Sequence, residues 1–156
     1  MNLHDYIIDH AAVDWRHVLS SWAWLLPREL TVWMVNRFGD LFVVQDDGAV
    51  YLLDSGAGTL ERIADSRDHF CRLLDEGDNA KNWLMIPLVD RLVAAGRPLS
   101  KGQCYSYALL PVLGGGYTPE NTKAVDLATH FKVLGPIHEK LKDVPDGAHF
   151  KFEIAG

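Results

Sequence analysis

The sequence predicts a single α+β domain with a mostly antiparallel sheet packed with helices. Between residues 31 and 63, short β-branched and aromatic runs alternate with turn residues, which is typical of a meander. Segments with helical periodicity lie on either side, and no βαβ alternation is visible. The length of 156 residues is ordinary for one domain, so residues 1–156 are interpreted as one unit.

The first predicted element is a helix over residues 13–26. Its apolar side chains recur with a helical spacing that defines one face, and Pro27 ends the pattern. These side chains are Trp15, Val18, Leu19, Trp22, Leu25 and Leu26. The helix would form an extension in front of the sheet.

Four consecutive strands form the predicted meander. They span residues 31–35, 41–44, 49–53 and 59–63. Asp46-Asp47-Gly48 has the composition of a hairpin turn because Gly48 can adopt a positive φ. A turn around Gly39 and another over residues 55–58 join the remaining strands.

Two helical regions follow the meander. Ser66 is a suitable N-cap for a helix that Gly77 stops. The next helix covers residues 82–95, where Pro87 indicates a kink or a junction between two short helices. The last predicted elements are strands over 104–110, 123–125 and 149–154 and a helix over 127–141. A Gly-Pro pair at residues 135–136 is expected to interrupt that helix.

The net charge is unevenly distributed along the chain. There are 15 basic and 21 acidic residues, so the net charge is −6. Residues 40–78 contain ten acids and three bases, a net of −7, which leaves +1 for the rest. An acidic protein lacks the basic stripe of a nucleic-acid binder. The acidic segment is interpreted either as a face for a basic partner or as the ordinary preference of turns and helix N-termini.

No local motif predicts catalysis, a metal or a cofactor. Tyr117-Thr118 follows the glycines at 114–116, so a phosphate-binding loop does not fit, and a structural turn or contact loop is expected. The seven histidines lack metal-ligand spacing and are expected at the surface or partly buried. Cys71 and Cys104 are expected as free, buried thiols of a reducing cytoplasm. No signal peptide or membrane span is predicted.

Several spaced motifs resemble one bacterial domain family. They are Val35-Asn36-Arg37-Phe38-Gly39-Asp40-Leu41-Phe42, Asp47-Gly48, Leu53-Asp54, Gly58-Thr59-Leu60, Trp83-Leu84, Pro87-Leu88, Gly102-Gln103-Cys104-Tyr105, Pro111-Val112-Leu113-Gly114-Gly115, Tyr117, Glu120-Asn121, Val125-Asp126, His130-Phe131 and Gly135-Pro136-Ile137-His138. Over about residues 30–145 the chain resembles the Tdi-type C-terminal domain of type VI secretion immunity proteins. That domain often follows a GAD-like domain, for which the first 30 residues are too few. The resemblance therefore indicates a stand-alone version with an N-terminal helical extension.

The resemblance implies a non-enzymatic, cytoplasmic immunity protein. Its expected partner is a cognate effector toxin, a nuclease such as a DNase, whose basic surface it would occlude. The toxin-binding candidates are Asp46, Asp47, Asp54, Glu61, Asp65, Asp68 and Tyr117. Direct contact with nucleic acid or a membrane is not expected, and neither is a cofactor or metal.

Two other functional classes stay open from the sequence. A binding module for an unknown small ligand or protein would use the loop at 114–121 as the rim of a pocket. An enzyme would instead bring titratable groups with shifted pKa values together in one cleft.

Overall fold

The computed structural model describes residues 1–144, and its first half is a four-stranded antiparallel meander. The strands are β1 (Thr31–Val35), β2 (Leu41–Val44), β3 (Val50–Asp54) and β4 (Thr59–Ala64), in that spatial order. All four predicted strands are confirmed to within one residue at each end. Every residue of β2 is buried, as expected for a central strand covered on both faces.

Glycines make the turns of the meander. Gly48 has φ +84° in the β2–β3 hairpin, and the Asp47 carboxylate accepts a hydrogen bond from the Ala49 amide at 3.0 Å. Gly39 and Gly58, in the flanking turns, also have positive φ. The predicted turns are therefore confirmed, with the conformations that glycine permits.

The rest of the described chain contains five helices and a second, two-stranded sheet. The helices are α1 (Trp15–Val18), α2 (Arg67–Leu74), α3 (Asn79–Trp83), α4 (Ile86–Ala94) and α5 (Leu127–Leu141). The strands β5 (Gln103–Tyr107) and β6 (Thr122–Asp126) pair antiparallel. Short 3-10 turns occur at Leu3–Asp5, Ser20–Trp22, Pro111–Leu113 and Pro119–Asn121. The predicted Ser66 N-cap and the predicted junction at Pro87 are both confirmed.

The predicted continuous helix over 13–26 is wrong. Helix α1 ends at Val18, and a separate 3-10 turn carries Trp22. The break lets the fully buried Trp22 indole reach α5, where it donates to the Phe131 carbonyl at 2.9 Å. Trp24 stacks on Trp22 at 6.1 Å between ring centroids, so tertiary packing decides the local conformation.

The predicted interruption of the last helix is also wrong. Helix α5 continues through Gly135 and Pro136, although proline removes one helical hydrogen bond. Contacts with the N-terminal segment hold the helix at this point, where the Gly135 carbonyl accepts from the Trp24 indole at 3.2 Å. A Cβ on Gly135 would lie 2.6 Å from the Ser21 carbonyl, so glycine permits this close approach.

Smaller differences concern individual residues. Strand β5 ends at Tyr107 rather than at residue 110, and Cys71 is exposed rather than buried. The predicted strand over 149–154 lies outside the described residues. No helix within residues 1–144 combines the length and apolar character needed to cross a membrane.

Helix α5 lies at the centre of the largest hydrophobic core. Phe131 is fully buried there with Trp22 from the N-terminal segment and with Leu41 and Leu53 from the meander. Cys104 of β5 belongs to the same cluster. Both sheets and the N-terminal segment therefore share one core, as expected for a single α+β domain.

Candidate functional site

A chain of polar side chains joins the meander to α5. The Ser55 hydroxyl lies 3.2 Å from the Asp40 carboxylate and 2.8 Å from Nε2 of His130. The other ring nitrogen of His130 lies 3.2 Å from the Ser106 hydroxyl. His138 Nε2 lies 2.9 Å from the Ser55 carbonyl and so donates to it. Both histidines are only 3% exposed, so the expectation of surface or partly buried rings is wrong for this pair.

Burial shifts the pKa values of Asp40 and His130 in opposite directions. Burial, reinforced by the nearby Asp54 carboxylate, raises the pKa of Asp40 to about 7. Burial, with His138 nearby, lowers the pKa of His130 to about 3. Burial disfavours the charged form of each group, so below about pH 7 the acid keeps its proton, and above about pH 3 the imidazole stays neutral.

Asn36 fixes the position of Asp40. Its amide nitrogen donates to Asp40 and to the Trp83 carbonyl, both at 2.9 Å. Its amide oxygen accepts from the backbone of Phe38 and of Asp40. The motif around residues 36–40, which contributes to the family resemblance, is therefore a closed turn anchored to the end of α3.

Two turn glycines make room for the two buried histidines. A Cβ on Gly39 would lie 2.8 Å from Nε2 of His130, and a Cβ on Gly58 would lie 2.5 Å from His138. Both distances are too short for a real Cβ contact. The glycines of the meander thus let α5 dock, in addition to shaping their own turns.

A cleft of about 420 Å³ opens at the end of β2 and β3 that carries Asp40 and Asp54. Because Leu41 pairs with Leu53, the register places Asp40 opposite Asp54. The charged and aromatic side chains that line the cleft are Asp40, Asp54, Lys81, Arg91, Tyr107 and Tyr117. The cleft therefore has two carboxylates, two phenols and two cations around one concave space.

Two tyrosines form an aromatic wall of this cleft. Tyr107 is 8% exposed, Tyr117 is 56% exposed, and their rings meet edge to face at 5.6 Å. Neither hydroxyl makes a hydrogen bond to any residue between 1 and 144. Burial raises the pKa of both phenols, and the carboxylates of Asp40 and Asp54 add to this effect. Both hydroxyls therefore remain protonated at neutral pH.

The opposite wall of the cleft comes from α3 and α4. Lys81 and Arg91 are exposed there, and the Lys81 ammonium lies 3.8 Å from Asp78. Met85, between the two helices, has a left-handed backbone with φ +53°. A non-glycine residue in that region is strained, and the surrounding structure must hold it there.

The glycine-rich loop beside the cleft is held by Asn121. Its side chain donates to the carbonyls of Leu109 and Gly116 and accepts from the Leu109 amide, at 2.8 to 2.9 Å. A Cβ on Gly115 would collide with the Leu109 carbonyl. The loop is thus a preorganised surface structure that presents Tyr117.

The structure separates the seven predicted toxin-binding residues into a group of four, a group of two and the single residue Glu61. Asp46, Asp47, Asp65 and Asp68 lie around the β2–β3 hairpin and the start of α2. Arg62 lies between two of them, 3.9 Å from Asp47 and 3.1 Å from Asp65. Glu61 lies on the edge strand β4, whereas Asp54 and Tyr117 line the cleft at the opposite end of β3.

The sequence interpretation missed Asp40, Lys81, Arg91 and Tyr107. The facing of Asp40 and Asp54 could have been found by extending the pairing from the predicted β2–β3 hairpin. Tyr107 and Arg91 gave no comparable signal, because their approach depends on how α4 and β5 pack. Within the described part of the chain, no cluster of three or more potential ligands could hold a metal ion.

Fold and site together define an α+β domain with a polar network that fastens its last helix and an open cleft of mixed charge. The model of the family "T6SS immunity protein Tdi1, C-terminal" matches residues 64–138. This match confirms, over that segment, the resemblance predicted from the sequence. It begins at the last residue of β4, later than the predicted start near residue 30.

A solved structure shares the fold. The crystal structure of Atu4351 from Agrobacterium tumefaciens has a TM-score of 0.51 and 21% sequence identity. The similarity covers 76% of this chain and 59% of that one, so this chain spans about three fifths of that protein. No curated protein sequence matches the chain.

Proposed function

We propose that this protein is an immunity protein that binds and neutralises a cognate type VI effector toxin in the cytoplasm. The observation that carries the proposal is the family match over residues 64–138. The proposed role is non-enzymatic. In its support, both oxygens of Asp40 accept hydrogen bonds, from Asn36 and from Ser55, and are therefore occupied within the fold.

The proposed contact surface is the glycine-rich loop together with the adjoining cleft. Leu109, Val112 and Tyr117 are 48%, 52% and 56% exposed within nine residues of chain. Exposed apolar and aromatic side chains grouped in this way are typical of protein interfaces. Since Asn121 already holds the loop, little conformational entropy would be lost on binding.

The proposed toxin is a nuclease, and the proposed mechanism is occlusion of its basic surface. A nuclease needs a cationic surface for the phosphate backbone of its substrate. The acidic residues around the β2–β3 hairpin and α2 are exposed and would attract such a surface. The loop and cleft would then provide short-range contacts.

Co-purification with the toxin encoded beside its gene tests the proposal, with calorimetry for the affinity. We expect Val112→Ser to weaken toxin binding about tenfold, because an apolar anchor is lost from the interface. Val93→Ser is the matched control, since Val93 is 53% exposed on α4 and does not line the cleft. Equal affinities for both variants would contradict the loop as contact surface, and absence of toxin binding by the wild type would contradict the function.

A binding module for a small ligand is the second candidate function. It is favoured by one observation: Tyr117, in the loop predicted to form a pocket rim, lines the cleft. A small-molecule ligand and a protein partner would both use this cleft, so direct ligand titration distinguishes the two functions.

A further inference from the structure

We propose that the C-terminal segment 149–154 adds to β6 as a third strand of the second sheet and covers an apolar cavity beside α5. The inference goes beyond the proposed function and does not rest on it. It depends on the lining of the cavity, on the free edge of β6, and on the side-chain pattern and reach of the chain that follows α5.

The cavity lies between α5, β6 and the start of the glycine-rich loop, and its volume is about 250 Å³. A volume of ~150 Å³ already admits a benzene ring. Val133 of α5 is 38% exposed at this cavity, although Leu134 beside it is buried. Apolar side chains grouped around an open space mark a contact surface. Those used below are Val125, Val133, Leu134 and Ile137.

The edge of β6 that faces away from β5 lies beside this cavity. Among the strands within residues 1–144, only β5 pairs with β6. The Leu127 amide donates to the Gly102 carbonyl across the ladder. Inward and outward backbone groups alternate along a strand, so the amide and carbonyl of Ala124 point away from β5 and can pair with a further strand. Arg97 donates to the Thr122 carbonyl, so the free part of the edge is the half that follows Thr122.

The chain that follows α5 has the side-chain pattern of a strand with one apolar face. Phe150, Phe152 and Ile154 alternate with Lys151 and Glu153. Phenylalanine and isoleucine favour strands, and alternate residues of a strand point to the same face of a sheet. Beside β6, this segment would therefore present three apolar side chains to the cavity and two opposite charges to the other face.

The connection is long enough for this segment to return along α5. Ile137 lies about 6 Å, and Val133 about 12 Å, before the end of α5 at Leu141. The five residues between Val144 and residue 150 span up to about 17 Å. The first phenylalanine of the segment can thus lie at Ile137 and the second at Val133.

The order of the elements agrees with this placement. A helix that follows one strand commonly leads to a second strand parallel to the first. Nearly all such crossovers are right-handed, so β6, α5 and the segment form a unit of ordinary topology. The segment would run parallel to β6 on its free edge, with α5 covering the apolar face of both.

The placement leaves most of the proposed toxin surface open. Leu109 lines the cavity, whereas Val112 and Tyr117 of the same loop do not. Addition of the segment would therefore leave Val112 and Tyr117 available to a partner. The strand addition and the toxin contact can each fail without the other.

The first experiment measures proton NOEs between phenylalanine rings and methyl groups in the full chain. We expect contacts of Phe152 with Val133 and of Phe150 with Ile137. A mixture of labelled and unlabelled chains reports contacts between molecules. Contacts found only between molecules would make a second copy the occupant and overturn the proposal. Absence of contacts from both rings to these methyl groups would overturn it as well and leave the cavity to another partner.

Hydrogen exchange of the Ala124 amide tests the added strand. In the double variant Phe150→Ser, Phe152→Ser we expect this amide to exchange about tenfold faster than in the wild type, because its hydrogen bond to the segment is lost. The Val125 amide, which points toward β5, is the internal reference and should change little.

The matched control is the double variant Lys151→Ser, Glu153→Ser, which alters the other face of the segment and should leave Ala124 exchange nearly unchanged. Equal Ala124 exchange in the wild type and in the phenylalanine variant would overturn the strand addition. The NOE experiment uses the unaltered chain, so it decides the proposal even if the phenylalanine variant does not fold.

Discussion

Asp40 and His130 show how a single hydrogen-bonded chain sets the charge of the protein interior. The Ser55 hydroxyl lies within hydrogen-bond distance of both side chains. The favoured state of each side chain is the uncharged one. An ion pair would require two buried charges, whereas the neutral pair only requires hydrogen bonds. Folding therefore transfers a proton, in effect, from imidazole to carboxyl between about pH 4 and 6.5.

The two groups have opposite effects on the pH dependence of stability. The pKa of His130 is lowered, from 6.5 to about 3, so its contribution is present above pH 6.5 and is lost as the pH falls toward 3. The pKa of Asp40 is raised, from 3.8 to about 7, so its contribution is present below pH 3.8 and is lost as the pH rises through 7. Between pH 3.8 and 6.5 the two pH dependences have opposite signs and cancel in the wild type.

His130→Gln removes one side of this balance. Relative to wild type, we expect the free energy of unfolding of the variant to rise by about 1.4 kcal/mol per pH unit as the pH falls from 6.5 to 4.5. Urea denaturation of both proteins across that range measures the difference. A difference that stays constant with pH would show that His130 does not carry the lowered pKa.

At the scale of elements, turns and helix ends were predictable because their causes are local. The strand alternation and the turn glycines define the meander, and Ser66 defines the start of α2. The helix predicted over 13–26 failed because the burial of Trp22 against Phe131 is a distant contact, 109 residues away along the chain. The cleft depends on α4, β5 and the loop meeting, so the sequence indicated only Asp54 and Tyr117 separately.

The packing of α5 against the meander depends on Gly58 having no side chain. Gly58→Ala is expected to lose about 1 kcal/mol from its positive φ and at least about 1 kcal/mol more from contact with His138. Gly48→Ala is the control, because Gly48 also has a positive φ but has no atom within 4 Å of its would-be Cβ. Equal losses of unfolding free energy would contradict the steric role of Gly58.

At the scale of the molecule, the acidic excess is divided between two places with different proposed tasks. The cleft holds carboxylates that are partly removed from water, where direct contacts are strong. The hairpin and α2 carry exposed acids, where screening by salt leaves mainly long-range attraction. The net charge of −7 over residues 40–78 therefore does not describe one continuous face.

Charge reversal separates those tasks. The double variant Asp46→Lys, Asp68→Lys should slow toxin association about tenfold at low ionic strength, with little change in dissociation. The control is the double variant Glu29→Lys, Glu139→Lys, which changes the net charge by the same amount at other exposed positions. It should slow toxin association less than the first double variant. Stopped-flow mixing at several salt concentrations measures both rates. Identical association rates for the two double variants would contradict the proposed role of Asp46 and Asp68 in attracting the toxin.

The indole of Trp22 has a consequence for how this domain can be divided or transplanted. Trp22 precedes the segment that the family model matches, and its indole packs against α5 and donates to the Phe131 carbonyl. Gly135 of α5 leaves room for the backbone of Ser21 beside that indole. A gene fragment cut at residues 64 and 138 would lack that indole and the whole inner strand β2. The unit that can be grafted or exchanged between proteins is thus larger than the segment by which the family is recognised.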